Sequence, residues 1–498
     1  MIFYKKRLLL QRAAVALPVA ILVLPFLLQC SQLGLTSDPE DNSAALLLAA
    51  LAGGGSSAAL GEEYSGGETT RFDSTVNAFD LPAANIINNI SRVIQFQDGN
   101  AIFNRGWVQA PAAAFDGLGP VFNRSSCRGC HVRDGRGRPP EGAESDFNSM
   151  LFRLSKSGSD PVTGGPLALD SYGTQLQDKA ITGVTAEGSV DTPISYTENP
   201  DTFPDGEAYS LRSPNYSFNW NFGTPSDLKY SPRVAPAVFG LGLLEAIPES
   251  TILSWADPSD NNGDGISGKA NYVYDHATGS ATLGRFGWKA NQPNLNQQNQ
   301  GAFHGDMGIT SSLFSTENCA SGQTDCSSSP SGNSGNPFEV SLSNTNLVSI
   351  YDHLIAVPGR RDWTDPEVVQ GKAKFNEIGC ASCHIPEVTT GNLPGFPELS
   401  NQVIRPYTDL LLHDMGSGLA DNRPDFLANG QEWRTAPLWG VGLVERVNEH
   451  TYFLHDGRAR SLKEAILWHG GEGTASRDAF KNLDQSDREA IIRFLESL

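Results

Sequence analysis

Cys127-Arg128-Gly129-Cys130-His131 and Cys380-Ala381-Ser382-Cys383-His384 repeat one pattern, two cysteines three positions apart with a histidine directly after them. From a single helical turn, two such thiols reach both vinyl groups of one porphyrin as thioethers, and the next residue turns its imidazole toward the iron. The pattern points to two covalently bound haem c groups, with Cys127, Cys130, Cys380 and Cys383 as anchors and His131 and His384 as iron ligands. Cysteine pairs with histidine also make tetrahedral zinc sites. The histidine after each pair, and the long stretch between pairs, favour haem.

An iron held by histidine on one side has a sixth position to fill or leave open. Of the 4 Met, Met415 in LLLHDMGSGLAD lies on a return segment after the second motif and is the candidate distal thioether there, a pairing that raises the potential. For the first haem, Met307 in HGDMGITS, His304, another histidine and a vacant position all stay open. Arg124, Arg128, Arg133, Arg136 and Arg138 form a basic cluster around the first motif, and haem propionates need such forked partners. Trp288 in GRFGWKA and Trp439 in APLWGVG are candidates to lie between or against the haems. Asp260, Asn262, Asp264 and Gly265 follow the order of a calcium loop, but Asn271 stands where the closing Glu belongs, so a loose calcium loop and an Asx-rich turn are both open. Cys319 and Cys326, in ENCASGQTDC, are expected to form a local disulfide in an oxidising compartment.

These groups need a scaffold of 498 residues, 39% apolar, with 51 Gly and 30 Pro, which predicts a turn-rich globular chain. The net charge of −20 argues against nucleic acid as a partner. Lys5, Lys6, Arg7 and Arg12 precede an uncharged run over residues 13–28, which reads as an export signal over 1–29. Cys30 follows as the expected lipid attachment residue, then a Gly-, Ser- and Ala-rich tether over 30–71. The location implied is the periplasmic side of the cell envelope, anchored to a membrane. RVAPAVFGLGLLE (233–245) and RTAPLWGVGLVE (434–445) match at Arg, Ala, Pro, both Gly, Leu and Glu when one residue is gapped, suggesting duplication. Helical spacing in DPEVVQGKAKFNE, RSLKEAILWHG and SDREAIIRFLESL predicts short helices around the second motif. The expectation is therefore a mainly α chain: an N-terminal haem domain over 72–364 with long loop insertions, and a C-terminal cytochrome c-like haem domain over 365–498.

The strings SSCRGCHVRDGRG, GRFGWKANQ, HGDMGITS, GCASCH, TDLLLHDMGSGLAD, EWRTAPLWGVG and FLHDGRARSLKEAILWHGGE resemble the di-haem oxidoreductase family, which is related to bacterial di-haem cytochrome c peroxidases. The resemblance runs from about residue 90 to the C-terminus. It implies a mainly helical pair of cytochrome c-like domains, with Met415 at the family's distal methionine position. It also implies hydrogen peroxide as oxidant at the N-terminal haem, and a small donor protein or cytochrome feeding the C-terminal haem. Glu245 and His304 are candidates to assist cleavage of the oxygen–oxygen bond. Two other readings stand beside this one, a di-haem electron-transfer cytochrome without peroxidase activity and a di-haem oxygenase or protein-modifying oxidase.

Overall fold

Short polar side chains start the helices that position the site. In the computed structural model, which describes residues 58–142, 147 and 149–498, six helices carry most of the argument: α1 (Ile90–Asn104), α2 (Leu295–Met307), α3 (Leu342–Leu354), α4 (Pro366–Glu377), α5 (Leu462–Leu467) and α6 (Gln485–Ser497). Asn89, Asn294, Ser341, Asp365, Ser461 and Asp484 each accept a first-turn N–H, satisfying a donor with no helical partner. Pro366 sits at the start of α4, where its missing N–H costs nothing. The export run, Cys30 and the tether up to residue 57 lie outside the described residues.

The helices form two crossed pairs built alike. Gly99 of α1 lies against the backbone of α3, and any Cβ there would collide with the Leu347 carbonyl; Gly371 of α4 meets the Ala490 carbonyl of α6 in the same way. Four residues after each glycine, one turn on, an aromatic ring meets a partner from the second helix. Phe103 packs on Tyr351 with centroids 5.3 Å apart, and Phe375 on Phe494 at 5.1 Å. Close approach of two backbones needs the glycine, and the aromatic pair adds about 1 kcal/mol beyond its buried area.

The expectation of a mainly α chain is overturned: helix accounts for 29% and strand for 17%, in many small sheets. The insertion after the first motif, expected as loops, folds into antiparallel ribbons nested inside one another. They are β1 (Met150–Ser155) with β6 (Lys229–Val234), β2 (Gly188–Val190) with β5 (Phe218–Trp220), and β3 (Ser195–Thr202) with β4 (Ala208–Asn215). Tyr216, Phe218, Trp220 and Phe222 alternate with polar residues and pack against a core of Phe147, Met150, Phe152 and Leu154, a period of two that suits a strand. Pro200, Pro214 and Pro232 exclude helix, yet are tolerated because every strand of a two-stranded ribbon is an edge. A further pair, β7 (Leu412–Asp414) with β8 (Glu432–Arg434), lies near the second motif.

The largest apolar core draws on both ends of the chain, joining Phe79, Phe239 and Tyr351 to Leu411, Trp439 and Leu443. Before residue 72 the chain is already packed: buried Glu62 pairs with Arg360 and Lys372, and the Arg71 N–H donates to the Val357 carbonyl at 3.1 Å. No helix among the described residues is long and apolar enough to cross a membrane.

Candidate functional site

Each Cys-x-x-Cys-His motif opens onto its own cavity. Cys127, Cys130 and His131 line the first, which together with its open mouth holds about 1830 Å³ of atom-free space. Phe103 of α1 and Val348 and Asp352 of α3 contribute to it, and Asn299, Phe303 and Met307 lie one turn apart along a single face of α2. The His131 Nδ1 lies 2.8 Å from the Pro236 carbonyl. A backbone acceptor there fixes the tautomer, leaving Nε2 as an unprotonated donor of the kind a metal takes. Burial pushes the Cys130 thiol up to about 12 and Cys127 well above the ordinary thiol range, so both sulfurs are protonated.

The second cavity, about 1440 Å³, is lined by Cys380, Cys383 and His384, and His384 repeats the geometry, its Nδ1 2.9 Å from the Tyr407 carbonyl. Phe375 of α4, Leu462, Ala465 and Ile466 of α5 and Leu495 of α6 supply apolar wall. Three further imidazoles face this cavity. His413 is held between two carboxylates, Nε2 2.8 Å from Asp409 and Nδ1 2.7 Å from Glu472, which hold it protonated despite its burial. Cys383, Asp409 and His413 lie close enough together to hold a metal ion, but both imidazole nitrogens are already engaged. His455 stacks on Trp433 at 3.7 Å, and His469 directs Nδ1 to the Ala465 carbonyl at 2.8 Å. Burial holds His384 neutral, down to about 4.

Arg136, Trp288 and Arg434 line both cavities and form a common wall. The Trp288 Nε1 donates to the Val234 carbonyl at 2.8 Å, and the Arg136 guanidinium stands 5.1 Å from its ring centroid. Arg136 donates through Nε to the Tyr452 carbonyl at 2.8 Å, and Arg434 through Nε to the Gly287 carbonyl at 2.9 Å. Both are half-buried, with desolvation lowering each to about 10, so both stay cationic at neutral pH.

The structure sorts the remaining expectations. Of the five arginines near the first motif, Arg124 and Arg136 line its cavity; Arg133 pairs with Glu449 and Arg138 with Glu141 on the surface. Arg153, Arg233 and Arg434, distant in sequence, supply the other guanidinium groups there. Met307 lines the first cavity and Met415 the second. His304 does not: its Nε2 lies 3.0 Å from the Thr316 carbonyl and its ring stacks on Phe314. Glu245 is also outside, accepting the Leu295 N–H at the start of α2. Trp439 lines the first cavity only, packed against Gly240, where φ is +71° and a Cβ would lie 2.6 Å from the Trp439 ring. Cys319 and Cys326 are disulfide-bonded. In the calcium-like string, Asp260, Asn262 and Asp264 accept the N–H groups of Gly265, Asp264 and Ile266, and Asn271 donates instead to the Lys289 and Asp425 carbonyls, an Asx-rich turn.

Paired free thiols, a neutral imidazole with Nε2 available, apolar walls and guanidinium groups are the donor set a haem with its two propionates requires, and each cavity has it. The family model described as "Di-haem oxidoreductase, putative peroxidase" matches residues 60–498. The chain belongs to the di-haem oxidoreductase family. Two haem-sized sites in one such chain accord with that membership. The comparison with curated proteins finds no match. Among solved structures, a chain of hydrazine synthase from Kuenenia stuttgartiensis, pressurised with xenon, is similar at 17% identity over 32% of this chain, with a TM-score of 0.22. The match spans 57% of that chain, less than two thirds of its length.

Proposed function

We propose that this di-haem oxidoreductase is an exported c-type peroxidase, anchored to a membrane through Cys30, that reduces hydrogen peroxide at the His131 site with electrons arriving through the His384 site. The observation that carries the reading is the common wall, to which Arg136, Trp288 and Arg434 belong, so that one indole lines both cavities. When bound, haem supplies one-electron chemistry at each site and the means to reduce an oxygen–oxygen bond.

The chain's own contribution is binding, charge and a proton. Arg124, Arg136 and Arg153 offer forked donors to propionates in the first cavity. Asp352 lines the same cavity, and burial raises its carboxyl to about 8, so it holds a proton near neutral pH; its Oδ1 has no hydrogen-bond partner. Among the lining residues of the first cavity His131 is the only imidazole, whereas the second has four, so open coordination is better supported at the first. A small donor protein or cytochrome would dock near the His384 site.

Anaerobic addition of hydrogen peroxide to half-reduced protein should reoxidise it within the mixing time, followed by optical spectra; a spectrum that does not change defeats the reading. Trp288→Phe, which keeps an aromatic ring but removes the indole, should leave haem content intact and slow transfer between the sites several-fold in the same experiment. The second reading, a carrier without peroxidase activity, is favoured by Met307 in the first cavity. It requires that no high-spin iron be seen, by electron paramagnetic resonance in the ferric state or by magnetic circular dichroism in the ferrous state.

A further inference from the structure

The loop Trp468-His469-Gly470-Gly471-Glu472-Gly473 after α5 is built more tightly than a connection needs. At Gly471 φ is +51°, and a Cβ would collide with the Asp414 carbonyl; at Gly473 a Cβ would lie 3.0 Å from the His469 Cβ and 3.3 Å from the Met415 methyl. The loop is pinned further by Glu472, which bonds His413 at 2.7 Å and accepts the Asp414 N–H at 3.2 Å. Its effect is to hold the His469 imidazole at the second cavity, beside Met415, in one orientation.

That orientation is the one the two motif histidines adopt. In His131, His384 and His469 alike, Nδ1 lies 2.8–2.9 Å from a backbone carbonyl, so that Nε2 is left as the unprotonated nitrogen. The other imidazoles at this cavity do not share it. His413 has both nitrogens on carboxylates, and His455 lies flat against Trp433. Met415 belongs to an apolar cluster with Trp433, Leu419 and Trp468, a sufficient reason for a methionine at that position.

Resting on the reading that both cavities hold haem, we propose that His469, through Nε2, is the sixth ligand of the second haem opposite His384, and that Met415 packs beside it without ligating. Two imidazoles place the second site at a lower potential than a methionine–histidine pair would, since thioether ligation raises it. The donor that serves this site must then be a correspondingly stronger reductant than one matched to a methionine-ligated haem.

Intact mass decides the underlying reading first: a chain without the added mass of two haems overturns it, independently of the ligand. With two haems present, ferric protein is examined by electron paramagnetic resonance and near-infrared magnetic circular dichroism. The expected result is a low-spin bis-imidazole signal that persists in Met415→Leu. In His469→Ala that signal should be lost and replaced by high-spin iron, while the first-site spectrum stays unchanged. A thioether charge-transfer band in the unaltered protein that disappears in Met415→Leu overturns the proposal, even if His469→Ala fails to fold. A band that survives Met415→Leu originates from Met307 at the first site and agrees with it.

Discussion

Replacing Cys127 and Cys130 together with alanine should give a protein heavier than its bare chain by one haem instead of two, and peroxide consumption should drop to the level of buffer. On the proposed reading the two thiols anchor the cofactor of the first cavity covalently, and without them only His131 and the non-covalent contacts of the wall would hold it. The reaction site is then empty or loosely filled, while the second cavity, whose lining includes neither thiol, is untouched. Cys380→Ala with Cys383→Ala should have a different signature: one haem is again lost, but photochemically reduced protein still reacts once with peroxide, and only turnover with an external donor stops. Intact mass, the haemochrome spectrum and a peroxide electrode read the three quantities. Equal loss of single-turnover reaction in both double variants would mean that the sites do not divide the work in this way.

The second large effect is structural. Gly371→Ala adds one methyl group where the α4 and α6 backbones touch, and that methyl has nowhere to go, because its obstacle is the Ala490 carbonyl and not a flexible side chain. The helices must part, losing the contact of Phe375 with Phe494 and opening the wall that Phe375 and Leu495 give the second cavity. A cost of about 3 kcal/mol is expected, the upper end for overpacking in a core, against the roughly 0.5–1 kcal/mol gain that alanine brings to an unconstrained helix. Thermal melts followed at the second-site absorbance should shift down; a melt as high as the unaltered protein's would show that the crossing relaxes freely.

What could be read from residues alone was the chemistry with fixed covalent spacing. The pentapeptides at Cys127 and Cys380 stand out because two cysteines three positions apart with a histidine directly after them are rare by chance, and α4 was visible in the spacing of Val368 and Phe375 behind Asp365. The ribbons were not recognised, although Tyr216, Phe218, Trp220 and Phe222 carry the period of a strand, because the surrounding Gly, Pro and Asp read as loop. The shared string around the glycine crossings, Gly-x-Ala-x-Phe-Asn at 99–104 and 371–376, was also legible and was overlooked in favour of the proline-glycine runs. Arg233 and Arg434 open the two matching proline-glycine runs, but nothing local marked them or Arg153 as cavity residues, since only the fold brings the three to the first cavity. His469 sat in plain view in WHGGEG, but a lone histidine after a helix is most often a packed one, and only its bonded Nδ1 sets it apart.

The guanidinium groups of Arg136 and Arg434 have one more consequence. Even depressed to about 10, each keeps its proton through neutral pH, so the partition carries a double positive charge there. Negative charge delivered to either side is welcomed by the same fixed source. Any drift of the midpoint voltages with acidity then begins at groups other than these two, and the bridge itself supplies a constant offset.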